Sequence, residues 1–147
     1  MRLLVDTSVL IRFVDENDPL HPILQTCVSK LLAGGHDIGM TPQGQRKFWS
    51  VATRPAQMNG LGLTPAVAED LLCILRSVFD FWDDLPGIAT EWRRVVLSLD
   101  VKGVQVHDAN HAAAAIVHRA TYVLTFDKRD FDRFRAYGLT PISPFEV

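Results

Sequence analysis

Apolar residues fall into two kinds of segment that alternate along the chain: short uninterrupted runs, and stripes recurring every three or four positions. Arg2-Leu-Leu-Val-Asp6 is a compact run that stops at a polar residue and predicts a short buried strand. From Ser8, the residues Val9, Leu10, Phe13 and Val14 return at helical spacing until the polar stretch Asp15 to Asp18. Beyond Pro19, the stripe Ile23, Leu24, Cys27, Val28, Leu31 and Leu32 predicts a second helix, closed by Gly34-Gly35. His36 to Met40 predicts another strand, and Thr41-Pro42 supplies the N-cap and first residue of a helix running towards Arg54-Pro55. After a loop over Pro55 to Leu63, Thr64-Pro65 repeats that signature. The stripe Val67, Leu71, Ile74 or Leu75, Val78 and Phe81 or Trp82 then predicts a helix that ends at Asp83 to Gly87.

The second half continues the alternation. A helix is predicted over Ala89 to Leu99, then a strand-like piece, Val104 to Val106, after Gly103. Asp108 to Arg119 holds five alanines, which favour helix and permit close approach to a sheet. Tyr122 to Thr125 predicts a strand, Asp127 to Arg135 a polar turn and short helix, and Leu139 to Ile142 a last strand. Strands alternating with helices imply right-handed crossovers and an α/β fold with a mostly parallel sheet.

Composition narrows the setting. A length of 147 residues predicts one domain over residues 1–147. With 48% apolar and 22% charged residues, the chain is neither disordered nor low in complexity. Its longest apolar run, Ala112 to Val117, is far below the roughly 20 residues of a membrane span. Asp6 interrupts the N-terminal apolar segment before a signal sequence develops, so the expected location is the cytoplasm. Cys27 and Cys73 have no paired spacing and are expected as core thiols. A net charge of −2 argues against bulk electrostatic wrapping of duplex DNA, while leaving room for a local basic patch.

Ligands of open α/β sheets gather beyond the C-terminal ends of the strands. Three expected ends carry aspartate: Asp6, Asp108, and Asp127 with Asp130 one turn on. Asp6 and Asp108 each precede a helix and could serve simply as N-caps. Together, however, clustered carboxylates repel and persist only where a cation offsets them. An all-carboxylate site suits Mg²⁺ or Mn²⁺, ions that activate water and hold phosphate esters, so phosphodiester hydrolysis is the natural reaction. Phosphatases that use an aspartate nucleophile need a second acid two residues after the first, where this chain has Ser8. Receiver domains need an acidic pair where only Asp6 stands.

Four blocks carry a family likeness: Val5-Asp6-Thr-Ser-Val-Leu10, Phe48-Trp49-Ser-Val-Ala-Thr-Arg-Pro55, Gly103-Val-Gln-Val-His-Asp-Ala109 and Val123-Leu-Thr-Phe-Asp-Lys-Arg-Asp-Phe131. Through them the chain resembles the PIN-domain nucleases, specifically the VapC-like toxins of bacterial toxin-antitoxin pairs. The resemblance implies a three-layer α/β/α sandwich and a Mg²⁺- or Mn²⁺-dependent endoribonuclease acting on single-stranded RNA. It also implies a small antitoxin partner and a homodimer. Asp6, Asp108 and Asp127 match metal-binding acids, Asp130 matches an additional catalytic aspartate, and Thr7 or Ser8 would orient a metal-bound water. At one position the chain departs from the pattern: Lys47 stands where the family has a glutamate before the Phe-Trp pair. A lysine there competes with a metal ion for the same carboxylates. Three readings stay open: a member that no longer cleaves and only binds RNA or antitoxin, an active member using three acids, or an inactivating change acquired during propagation of a toxic gene. Gln43 and Gln45 are neutral and Glu69 lies on another helix, so they are weak substitutes for the missing acid.

Several residues carry two readings. Arg46, Lys47, Trp49 and Arg54 form either an RNA-binding face or a solvated surface over core aromatics. Lys128 and Arg129, with Arg133 and Arg135, either contact phosphates or remain solvated. His107 and His111 flank Asp108 and serve either in acid-base chemistry or, the favoured reading, in helix packing. Trp82 and Trp92 are expected in the core or at a dimer interface.

Overall fold

The structure, a computed structural model, describes residues 1–147. Five strands form one parallel sheet: β1 (Arg2–Val5), β2 (Asp37–Met40), β3 (Asp80–Phe81), β4 (Tyr122–Leu124) and β5 (Thr140–Ile142). Their order is β3-β2-β1-β4-β5, so β1 is central. Leu3 lies beside Ile38 on one flank, and Leu4 beside Val123 on the other.

Alternation along β1 builds the three layers. Leu3 and Val5 pack in one core with Leu10, Leu24, Phe48 and Leu75, from the helices α1 (Thr7–Val14), α2 (His21–Ala33), α3 (Pro42–Thr53) and α4 (Pro65–Val78). Leu4 packs in another with Val95, Ala112 and Phe134. This second layer holds α5 (Gly87–Ser98), α6 (Val106–Val117) and the short α7 (Lys128–Asp132), with one-turn helices around them. Ala109 and Ala112 to Ala115 are all buried, so α6 fits between the sheet and α5 as its small side chains predict. The result is the expected α/β/α sandwich. No helix is long and apolar enough to cross a membrane.

Two element boundaries differ from expectation. Val104 to Val106 is not a strand: Gly103 turns the chain at φ 59°, Val104 is 82% exposed, and a 3₁₀ turn leads directly into α6. A three-residue apolar piece cannot hold a strand without a sheet edge to receive it. The helix expected to reach Phe81 or Trp82 stops at Val78, and Asp80–Phe81 instead adds β3 beside Gly39 and Met40. Phe81 and Trp82 follow Val78 at helical spacing, which is why the stripe ran on, but Trp82 is buried against Gly39 of β2 instead. Of the two cysteines, Cys27 is a core thiol but Cys73 is exposed on α4.

The N-terminal end of the sheet is closed by packing. Trp82 lies against Gly39, where a Cβ would stand 2.1 Å from the indole, and the Arg2 guanidinium sits 4.5 Å from the Trp82 ring centroid. Arg2 pairs with Asp37 at 2.7 Å, and the neighbouring Asp37 carboxylate raises the Asp80 pKa.

Candidate active site at the C-terminal ends of β1 and β4

Connections leave β1 towards β2 on one flank and return through α5 and α6 to β4 on the other, so the crevice between β1 and β4 is the topological switch point. Asp6 follows β1 directly and is the N-cap of α1. Its Oδ1 accepts from the Thr7 N–H at 2.7 Å. Its Oδ2 accepts from Ser8 Oγ at 2.8 Å and from Thr125 Oγ1 at 3.0 Å. Ser8 therefore donates to the acid itself, while Thr7 Oγ1 is buried without a partner.

Thr125, fully buried at the end of β4, is a residue that sequence reasoning passed over. Its hydroxyl oxygen also accepts the Asp127 N–H at 3.0 Å, so one side chain ties the backbone before α7 to the carboxylate after β1. Nothing local marks this threonine; only the pairing of β1 with β4 brings it to Asp6.

Electrostatics show the acids gathered. The Asp108 pKa is raised, first by burial and then by the charges of Asp130 and Asp6, while Lys47 and His107 pull it down. Asp130 is raised by burial and by the neighbouring Asp127 and Asp6, against the pull of Arg133. Asp108 reaches this group from the first turn of α6 rather than from a strand end. Lys47 is the strongest charge acting on Asp108, yet no ion pair of the chain includes Lys47 or any of these four aspartates. Nor do three carboxylates, imidazoles or thiolates converge tightly enough to form a closed metal cage.

Lys47 is fixed by its neighbour. Thr41 caps α3, accepting the Gly44 N–H at 3.2 Å, and Phe48 is fully buried in the core, so position 47 turns to the acidic side. No nearby group replaces the missing acid. Gln43 Nε2 donates to the His107 carbonyl at 3.0 Å, Gln45 accepts from Arg76 at 3.2 Å, and Glu69 meets Cys73 on α4.

The basic residues divide. Arg46 is exposed and lines a cavity of about 530 Å³ beside Lys47, with Gln43, Trp92, His107 and Asn110. Trp92 packs partly on the α5–α6 core, but it is only half-buried and also forms a wall of this cavity. Trp82 is a core residue. Arg54 lies at the other end of α3, where it donates to the Asn59 carbonyl at 3.2 Å and pins the following loop. Lys128 is paired with Glu146 at 2.7 Å, and Arg129 is exposed. Trp49 is partly buried against the core. His111 is fully buried with neither ring nitrogen hydrogen-bonded. Burial lowers its pKa to about 4, against the pull of Asp6, so it is a neutral packing group.

The fold agrees with the family comparison. The chain belongs to the PIN domain family, whose model matches residues 3–137. Solved structures share the fold at low identity. One is a DNA-bound VapBC from Salmonella typhimurium (14% identity, 98% of each chain, TM-score 0.74). Another is VapBC-1 from nontypeable Haemophilus influenzae (12%, 99% of each chain, 0.72). A third is Mycobacterium tuberculosis VapC20, a toxin that cleaves the sarcin-ricin loop (17%, 92% of this chain and 95% of that one, 0.63). No curated protein matches the sequence.

Proposed function

We propose that this chain, a single domain over residues 1–147, is a toxin-type endoribonuclease for single-stranded RNA whose turnover is held down by Lys47. The carrying observation is that acids from β1, α6 and the start of α7 meet at the switch point beside Lys47: Asp130 and Asp6 raise the Asp108 pKa, and Asp127 and Asp6 raise that of Asp130. The donors are all carboxylate oxygens and their repulsion calls for a cation, which fits Mg²⁺ or Mn²⁺ in kind, although the lysine already meets part of that demand. Asp6, Asp108 and Asp127 would hold the ion, with Asp130 as a further acid. When bound, it supplies an activated water and offsets charge on the phosphate.

The chain's own residues set the geometry. Ser8 and Thr125 hold the Asp6 carboxylate in one orientation through Oδ2, and Oδ1, which accepts only the Thr7 N–H, keeps a lone pair for a ligand. Arg46 and Arg129 are free to meet phosphates flanking the reacting one, whereas Arg54 and Lys128 would first have to leave their present partners. The VapBC complexes with this fold support a small antitoxin protein as partner, and a homodimer in the cytoplasm is the accompanying expectation.

The test is cleavage of labelled single-stranded RNA with Mn²⁺ by this chain and by Lys47→Glu. Replacing a repelling ammonium with a carboxylate is expected to raise the rate on the order of 100-fold, equivalent to about 2.7 kcal/mol of barrier, and adding Asp6→Asn should abolish the gain. A parent chain as fast as the glutamate variant would refute the role given to Lys47. A folded glutamate variant that binds Mn²⁺ but never cleaves would leave the non-enzymatic reading, a PIN fold that binds RNA or antitoxin.

A further inference from the structure

The cavity between α3, α5 and α6 is continuous with the acidic cluster through Lys47 and His107, the two basic residues that act on Asp108. Its volume of about 530 Å³ falls in the range of small-ligand sites, roughly 300 to 1,000 Å³. Its walls are fixed. Trp92 Nε1 donates to the Val106 carbonyl at 2.9 Å, which locks the indole against the start of α6. Gln43 is nearly buried; its Nε2 donates to the His107 carbonyl and its Oε1 accepts from Asn110 Nδ2. These two bonds set the sense of the Gln43 amide. They leave the second Nδ2 hydrogen and the Oδ1 of Asn110 unpaired within the chain, one donor and one acceptor on a single planar edge.

We infer that this cavity is a nucleobase subsite: it takes one unstacked base of the RNA strand whose neighbouring phosphate faces the acids, with Trp92 as the apolar wall and Asn110 reading the base edge. The inference rests on the ribonuclease reading and adds a source of sequence preference to it. An aromatic ring, an amide edge and flanking cations are the combination by which proteins hold splayed single-stranded bases. The cavity near the chain termini, lined by Lys30, His36, Lys128 and Arg135, is also basic. Its lining has no indole and no carboxamide, and none of its residues acts on Asp108, so it offers phosphate contacts away from the acids.

The experiment is equilibrium binding of fluorescein-labelled RNA tetranucleotides in EDTA, so that neither metal nor cleavage enters. An abasic residue is placed at each position in turn. One position is expected where the abasic residue weakens binding by roughly 5- to 150-fold, the range of a lost base-aromatic stack. In Trp92→Leu the same abasic substitution should cost almost nothing further. Asn110→Ala, which leaves the indole in place, should flatten the preference among the four bases at that position and carries the test if Trp92→Leu does not fold. An unchanged abasic penalty in Trp92→Leu, or an unchanged base preference in Asn110→Ala, overturns the subsite while leaving the ribonuclease reading intact. If neither the parent nor Lys47→Glu binds any oligonucleotide, both fall together.

Discussion

Both ends of the sheet bring carboxylates near basic side chains, and they do so in opposite ways. At the N-terminal end, Arg2 pairs directly with Asp37, lies over Trp82, and acts on Asp80, whose pKa Asp37 raises. Two acids, one guanidinium and an aromatic plate close that end. At the C-terminal end Lys47 acts on Asp108 and Arg133 on Asp130, yet neither cation is in ion-pair contact with any of the four acids. The first arrangement joins a carboxylate and a guanidinium in a direct pair; the second leaves the exposed Asp127 and Asp130 without an ion-pair partner. That contrast, rather than the number of aspartates, separates a structural cluster from a site.

The contrast breaks most forcibly at Gly39. Gly39→Ala drives a Cβ into the buried Trp82 ring, and overpacking against a rigid indole is expected to cost about 3 kcal/mol in denaturant melts. A variant as stable as the parent would show that the closed end is softer than its packing implies. A similar but pH-dependent loss is expected beneath the open end. His111 stays neutral in the folded chain down to about pH 4, whereas an unfolded chain protonates it below about 6.5. The unfolded state thus binds the extra proton first. Stability present above pH 6.5 is lost as pH falls through this window, by up to about 3 kcal/mol, and levels off below pH 4. Urea melts across that range should show the loss, and His111→Leu should remove most of it.

The smallest effects sharpen the comparison most cleanly. Arg2→Met is expected to lower stability by about 1 kcal/mol and leave RNA binding unchanged. Lys47→Met is expected to change stability by less than about 0.5 kcal/mol while strengthening Mn²⁺ binding measured by calorimetry. If Arg2→Met altered Mn²⁺ binding as much as Lys47→Met, the two ends would not be electrically separate.

Most of the sheet was legible because its signals are local. The run Leu3 to Val5, the Thr41-Pro42 start of α3 and the alanines of α6 each declare their element within a few residues. Asp6 and Asp127 were legible because they end such runs. Asp108 was expected at a strand end but stands in the first turn of α6, since the turn at Gly103 replaces the expected strand. β3 was hidden because two residues show no periodicity, and Phe79 and Trp82 suit a helix face equally well. Thr125 and the Trp92, Gln43 and Asn110 cavity were not legible at all. Each depends on elements distant in sequence meeting in space, and no spacing along the chain encodes that meeting.

The buried Phe48 beside Lys47 has a further consequence. Because the aromatic ring anchors α3 in the core, the helix cannot carry its ammonium away, and only the four-carbon stem can swing. The protein therefore holds a counterion on a tether. Salt can screen it, but dialysis cannot wash it out, and a single codon change is enough to release the pocket from it.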